Sequence, residues 1–171
     1  MPPKGNRQPA QLIVYSQSIL TRTVQVDMQY VGKNINEILL GILQTQYEGK
    51  CSVEGYIKPF SIIIIDTSSG LVIANKVAFD VVFQCQVCLP VEGMEIMCSV
   101  INVTKAGIRC ESTEKPSPLI IFVARDHHYS NDEFANVKEK HIIRVKVIGQ
   151  RFELNDTHIS IIGEYMPRIV A

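Results

Sequence analysis

VEGMEIMCSVINVTKAGIRCESTEKPSPLIIFVARDHHYSNDEFANVKEKHIIRVKVIGQRFELNDTHISIIGE, residues 91–164, is the stretch that decides the fold. It holds five short apolar runs, at 93–103, 107–111, 119–123, 141–149 and 157–164, with turn residues between them. Each run has the length and the alternating or continuous apolar character of a strand. The longest interruption, residues 125–140, is polar and falls between the third and fourth runs. A small five-stranded barrel carries a loop or a single helical turn at that place. The spacing therefore predicts an OB-type barrel, an architecture that mostly binds single-stranded nucleic acid or oligosaccharide.

Upstream of the barrel the pattern changes. Val24, Val26, Met28 and Tyr30 alternate with Gln25, Asp27 and Gln29, so residues 11–30 read as a strand. The clearest helix follows over 34–46. Asn34 and Glu37 have the spacing of a capping box, and Ile35, Ile38, Leu39, Ile42 and Leu43 form one apolar stripe. Gly41 inside this helix disfavours it by about 1 kcal/mol relative to alanine, which suggests a close packing neighbour. Residues 51–56 and 60–66 then read as strands, residues 67–70 as a turn, and residues 71–74 and 77–89 as two more strands, the second continuous. Strand, helix, then strands predicts a small α+β unit with the helix on an antiparallel sheet. Leu89-Pro90-Val91-Glu92-Gly93 is the expected seam. The fold class is thus an α+β domain over 11–90 followed by an all-β barrel over 91–171, with residues 1–10 a disordered, Pro-rich tail.

Composition narrows the function. The 171 residues are 46% hydrophobic and 20% charged, ordinary for a globular chain able to bury a core. Seventeen basic residues balance seventeen acidic ones, so no global field attracts nucleic acid and any such binding rests on a local patch. No apolar run approaches the ~20 residues of a membrane span. No secretory signal is read at the N-terminus, and the five cysteines, an odd number, suggest reduced thiols inside a cell.

The order of these parts resembles a known family. The α+β half, the long strand 77–89, Pro90-Val91-Glu92-Gly93-Met94 and the barrel together look like the stalk subunit of multisubunit RNA polymerases, the seventh subunit of RNA polymerase II and its archaeal counterpart. The resemblance is distributed over residues 11–166. Tyr47-Glu48-Gly49-Lys50-Cys51 and Gly55-Tyr56-Ile57 resemble the family's tip domain. Val103-Thr104-Lys105-Ala106-Gly107-Ile108, Phe122-Val123-Ala124-Arg125-Asp126-His127 and Val145-Lys146-Val147-Ile148-Gly149-Gln150-Arg151 resemble strands of its S1/OB-fold barrel. Residues 124–129 and 148–156 look more like versions from large DNA viruses than cellular ones.

The resemblance implies a non-catalytic accessory subunit. Its tip domain docks on the large polymerase subunits, and its S1 barrel lies near nascent single-stranded RNA or initiation factors. A second stalk subunit is an implied partner. The implied place is the site of transcription within the cell: the nucleus, or the cytoplasm or virion for a viral enzyme. The loop 55–60, with Tyr56, Lys58 and Pro59, is the docking candidate. Phe122 stands where S1 barrels often present a ring to a base, whereas the two other such positions correspond to Ala106 and Arg109. Base stacking thus gives way to charge. Lys105, Arg109, Arg125, Lys146 and Arg151, with His127, are the candidate RNA-binding face, phosphate contacts there holding a strand without reading it. Alternatively these are the solvated side of a strand, balanced by Glu111, Glu114 and Glu153. A free-standing S1-type RNA-binding protein in translation or RNA decay is the competing function.

Catalytic and metal chemistry find little footing. His127-His128 lacks a third converging ligand, so a surface or turn role is expected. Cys85-Gln86-Val87-Cys88 has redox spacing but lies in a predicted strand, which sends the two thiols to opposite faces. Cys98 and Cys110 do not supply the second pair that a zinc site requires. No Gly-rich phosphate loop, Gly-x-Ser-x-Gly elbow or His-Glu-x-x-His occurs. No cofactor is expected.

Overall fold

The structure is a computed structural model that describes residues 14–167; the tail predicted over 1–10, and the start of the strand predicted from 11, lie outside the described residues. Two sheets account for most of it. The first is organised on β6 (Lys76–Cys88), whose thirteen residues make it the longest strand there. β1 (Ser16–Asp27) runs antiparallel along one edge of β6 for its whole length, from Ser16 opposite Val87 to Asp27 opposite Lys76. The other edge is shared in succession by β3 (Gly55–Ile57), β4 (Ile63–Thr67) and β5 (Leu71–Ile73), and β2 (Cys51–Ser52) pairs with β3 as a tight hairpin. The continuous strand expected at 51–56 is therefore broken in two, because Val53 and Glu54 form its turn.

Helix α1 (Ile35–Tyr47) lies against β1 and β4. Period-two alternation explains why: Val77, Phe79, Val81, Phe83 and Cys85 of β6, with Leu20, Val24 and Val26 of β1, all face the same side. Leu39 and Leu43 are buried on that surface, with Ile35, Ile38 and Ile42 at its margin. The helix entry differs from the expected capping box. Asn34 makes no side-chain cap, because its backbone (φ −100°, ψ 25°) is not extended and its carbonyl instead accepts from the Glu37 and Ile38 amides. Gly41 also departs from expectation. It sits on the exposed side of the helix, and an added Cβ would meet nothing within 4 Å. Gly41→Ala is accordingly expected to stabilise the chain by about 1 kcal/mol, raising Tm by roughly 2–4 °C. Thermal unfolding followed by circular dichroism checks this; a fall in Tm would contradict it.

The second sheet closes on itself. β7 (Glu95–Val103), β8 (Gly107–Ser112), β9 (Leu119–Ala124), β10 (Ile142–Arg151) and β11 (Ile159–Met166) form a barrel in the order β10-β11-β9-β8-β7, closed by β10 pairing with β7. All neighbours are antiparallel except β9 and β11. This five-stranded closure is consistent with the predicted OB-like barrel. The interior is filled by inward-facing residues such as Ile96, Cys98, Val100, Ile108, Ile121, Val145 and Ile161. Register shifts between Val100 and Asn102 and between Val147 and Gly149 are bulges that help a short sheet curl. The polar segment between β9 and β10 carries a 3-10 turn at Arg125–His127 and one short helix, α2 (Asp132–Ala135), capped by the Asn131 side chain.

The two sheets share packing. Tyr15, Cys51, Tyr56 and Cys88 from the first belong to the same buried cluster as the barrel interior. The Cys51 amide donates to the Asp156 carbonyl at 2.7 Å, and the Asn155 amide to the Cys51 carbonyl at 2.9 Å, so β2 is hydrogen-bonded to the β10–β11 loop. Arg22 of β1 ties the same hairpin to the first sheet, bonding Glu54 at 2.5 Å and lying 5.5 Å from the Tyr47 ring centre. Burial raises the Glu54 pKa, but hydrogen bonds from Arg22, its own amide and the Ser52 hydroxyl outweigh this and hold it below the usual carboxylate value.

Candidate nucleic-acid interface

One outward row crosses the barrel through Asn102, Arg109, Phe122 and Ile162, each in register with the next on β7, β8, β9 and β11. Phe122 is 39% exposed, and its ring leans over Gly107, where an added Cβ would lie 3.0 Å from the ring tip. The β7–β8 turn beside it is closed by the Thr104 amide donating to the Gly107 carbonyl at 2.8 Å, and it presents Lys105 to solvent. The Arg125 amide donates to the Ala106 carbonyl at 3.0 Å, and its Nη2 to the Thr104 carbonyl at 3.0 Å. The 3-10 turn is thereby strapped to the hairpin. Its exposed His127 follows two residues later.

Lys105, Arg109, Phe122 and Arg125, with His127 beside them, thus gather at one end of β8 and β9. Lys146 and Arg151 do not join them. Lys146 lies opposite Glu164 on one side and Glu95 on the other. Through β7 it is two strands from Arg109 but seven residues along, from Asn102 to Glu95, about 23 Å at ~3.3 Å per residue. Arg151, at the far end of β10, faces the exposed Glu153 at 3.7 Å. Arg144 is likewise bound, to Glu95 at 3.4 Å. The sequence pattern did not single out Ile162, which is 55% exposed beside Phe122. Strict alternation along β11 could have found it, since Ile159 and Ile161 point inward.

The two adjacent histidines part company. His128 is buried, its ring stacked on Phe134 at 4.7 Å. Its Nδ1 lies 2.8 Å from the Ala124 carbonyl, and its Nε2 lies 2.9 Å from the Tyr165 amide. A carbonyl only accepts and an amide only donates, so Nδ1 carries the proton and Nε2 accepts. His128 therefore fastens the 125–140 segment onto β11. Among the described residues, no three His, Cys, Asp or Glu side chains converge to hold a metal.

The cysteines are all buried and unpaired. Cys85 packs in the core of the first sheet and Cys88 in the shared cluster, on opposite faces of β6. Burial pushes the Cys85 thiol up to about 11 and the Cys88 thiol up to about 12, the reverse of what a nucleophilic thiol needs. A hydrogen bond with Cys110, added to by burial, raises Cys98.

The loop expected to dock is only partly at the surface. Tyr56 faces inward, its ring 6.4 Å from that of Tyr15. Lys58 places Nζ 4.9 Å from the Tyr15 ring centre, and Pro59 is half-buried. Phe60, the next residue, stands fully in solvent. No helix among the described residues is long and apolar enough to cross a membrane.

No protein-family model matches the chain. Three curated proteins are similar to it over most of its length. DNA-directed RNA polymerase II subunit 7 of Arabidopsis thaliana is 28% identical over 153 residues, covering 79% of this chain and 84% of the relative. DNA-directed RNA polymerase II subunit RPB7 of Glycine max is 26% identical over 162 residues, covering 85% and 88%. A putative DNA-directed RNA polymerase subunit of Acanthamoeba polyphaga mimivirus is 22% identical over 174 residues, covering 92% and 84%.

Proposed function

We propose that this chain, which belongs with the stalk subunits of multisubunit RNA polymerases and their viral versions, is a non-catalytic polymerase subunit that docks through its first sheet and extends its barrel toward nascent RNA or initiation factors. One observation carries the reading: the similarity to polymerase subunits covers 79–92% of the chain. The barrel segment from 91 onward is less than half of it. A match to the barrel alone would have favoured a free-standing S1-type protein. The large polymerase subunits are the partners in this reading, with a second stalk subunit beside them, at the site of transcription within the cell. The division into a docking domain over 11–90 and a barrel over 91–171 belongs to the same proposal.

RNA contact is a secondary duty. Among the described residues, one exposed aromatic of the strands themselves, Phe122, and a small group of cations meet on the β8–β9 face, and the chain has no net charge. A single stacking platform with few phosphate contacts binds weakly and loses affinity as salt rises. The isolated chain should therefore hold single-stranded RNA weakly at low salt, and Phe122→Ala should weaken it about tenfold. Lys146→Ala should change it less than threefold, because Glu95 and Glu164 flank that lysine. Fluorescence anisotropy with a labelled single-stranded RNA measures all three. Tight binding that persists at high salt would favour the free-standing protein instead.

A further inference from the structure

We infer that Phe60 is an aromatic anchor that inserts into an apolar pocket on a protein subunit of the polymerase; this rests on the docking proposed above. The residue is 94% exposed, more than any other large apolar side chain among the described residues. Its backbone sits at φ 61°, the left-handed region that a bulky residue avoids and glycine enters freely. Exposure and an unfavourable backbone meet at one residue, and such coincidences mark sites where function has overridden folding preference.

The loop around it leaves the ring little freedom to fold back. The Lys58 amide donates to the Gln86 carbonyl at 2.9 Å, and the Gln86 amide donates to the Ser61 hydroxyl oxygen at 3.2 Å. The Ser61 hydroxyl in turn donates to the Lys58 carbonyl at 2.6 Å. The residues on either side of Pro59 and Phe60 are thus both fixed to β6. An anchor held in its bound conformation loses little entropy on docking.

The surroundings indicate what kind of partner fits. A shallow hollow of about 360 Å³ lies against the ring, lined by Gln17, Pro59, Ile63, Gln84 and Gln86. Ile19 and Ile63 flank Gln84 on the adjoining strands, and both are exposed. Among the described residues Lys58 is the one cation lining this hollow, and its Nζ is turned onto the Tyr15 ring. Phosphate recognition needs converging cations. An uncharged, partly apolar rim around an aromatic knob instead matches the centre of a protein interface.

Phe60→Gly separates docking from folding, because it removes the ring and relieves the backbone together. The polymerase that co-purifies with the tagged full-length chain, stripped of that chain, is the binding probe. Phe60→Gly should leave Tm unchanged or higher while weakening rebinding roughly thirtyfold or more. Phe60→Trp should keep most of the affinity, and Tyr129→Ala, which removes another exposed aromatic on the barrel side, should rebind like wild type. Rebinding of Phe60→Gly within threefold of wild type would overturn the anchor while leaving the subunit assignment standing. Normal rebinding with reduced single-stranded RNA affinity would make Phe60 a base-stacking residue and overturn it as well. Failure of the wild-type chain to bring down any polymerase subunit would overturn both.

Discussion

Gly107→Val should lower the stability of the chain by about 3 kcal/mol, a fall in Tm of roughly 6–12 °C for a protein of this size. Gly107 opens β8 and pairs with Ala124 at the end of β9. A Cβ there would overlap the Val123 carbonyl oxygen and lie 3.1 Å from the Ala124 Cα. These are backbone atoms of a strand hydrogen-bonded on both sides, to β8 and β11, so they have little room to yield. The same Cβ would reach the Phe122 ring, and the displaced turn carries the Thr104 and Ala106 carbonyls that hold Arg125. One substitution therefore strikes both the barrel and its candidate RNA face. Thermal unfolding and RNA anisotropy on the same protein should fall together. A stable Gly107→Val variant with unchanged RNA binding would contradict the geometry of this turn.

Phe83→Ala should destabilise the chain by about 3–5 kcal/mol. Phe83 is fully buried at the middle of β6, in register with Leu20 of β1 and Ile64 of β4, and its ring stacks near that of Tyr47 from α1. It joins both flanking strands and the helix, and alanine would leave a cavity that three hydrogen-bonded strands cannot close. Urea unfolding measures the loss. Because Tyr15, Cys51, Tyr56 and Cys88 pack with the barrel interior, hydrogen exchange at the Ile121 and Val123 amides should quicken too. Unchanged exchange in β9 would show that the two sheets unfold independently.

What is legible in the sequence is what depends on local periodicity. The five barrel strands, the long β6 and the helix at 35–47 all carry their pattern within a dozen residues. The features that escape depend on partners distant in sequence. Lys146 reads as an outward cation from alternation alone. That Glu95 and Glu164 flank Lys146 follows only from the register of β10 with β7 and β11. Tyr56 reads as a loop aromatic until Tyr15 and the barrel close over it. Asn34 has the right residue type for a cap but the wrong backbone, set by the turn through Gly32 and Lys33. Gly41 has no close tertiary neighbour to justify it. His127-His128 reads as a turn pair, and the structure divides it into one exposed ring and one buried fastener.

The central claim is that the chain works inside a polymerase. Its most direct test is affinity purification of the tagged full-length chain from the cells or infected cells that express it, with mass spectrometry of what remains bound. The expected result is the large subunits of a DNA-directed RNA polymerase in near-stoichiometric amounts, retained at salt that strips RNA. Recovery of the chain with RNA alone, or with ribosomal or RNA-decay proteins and no polymerase subunit, would contradict the account.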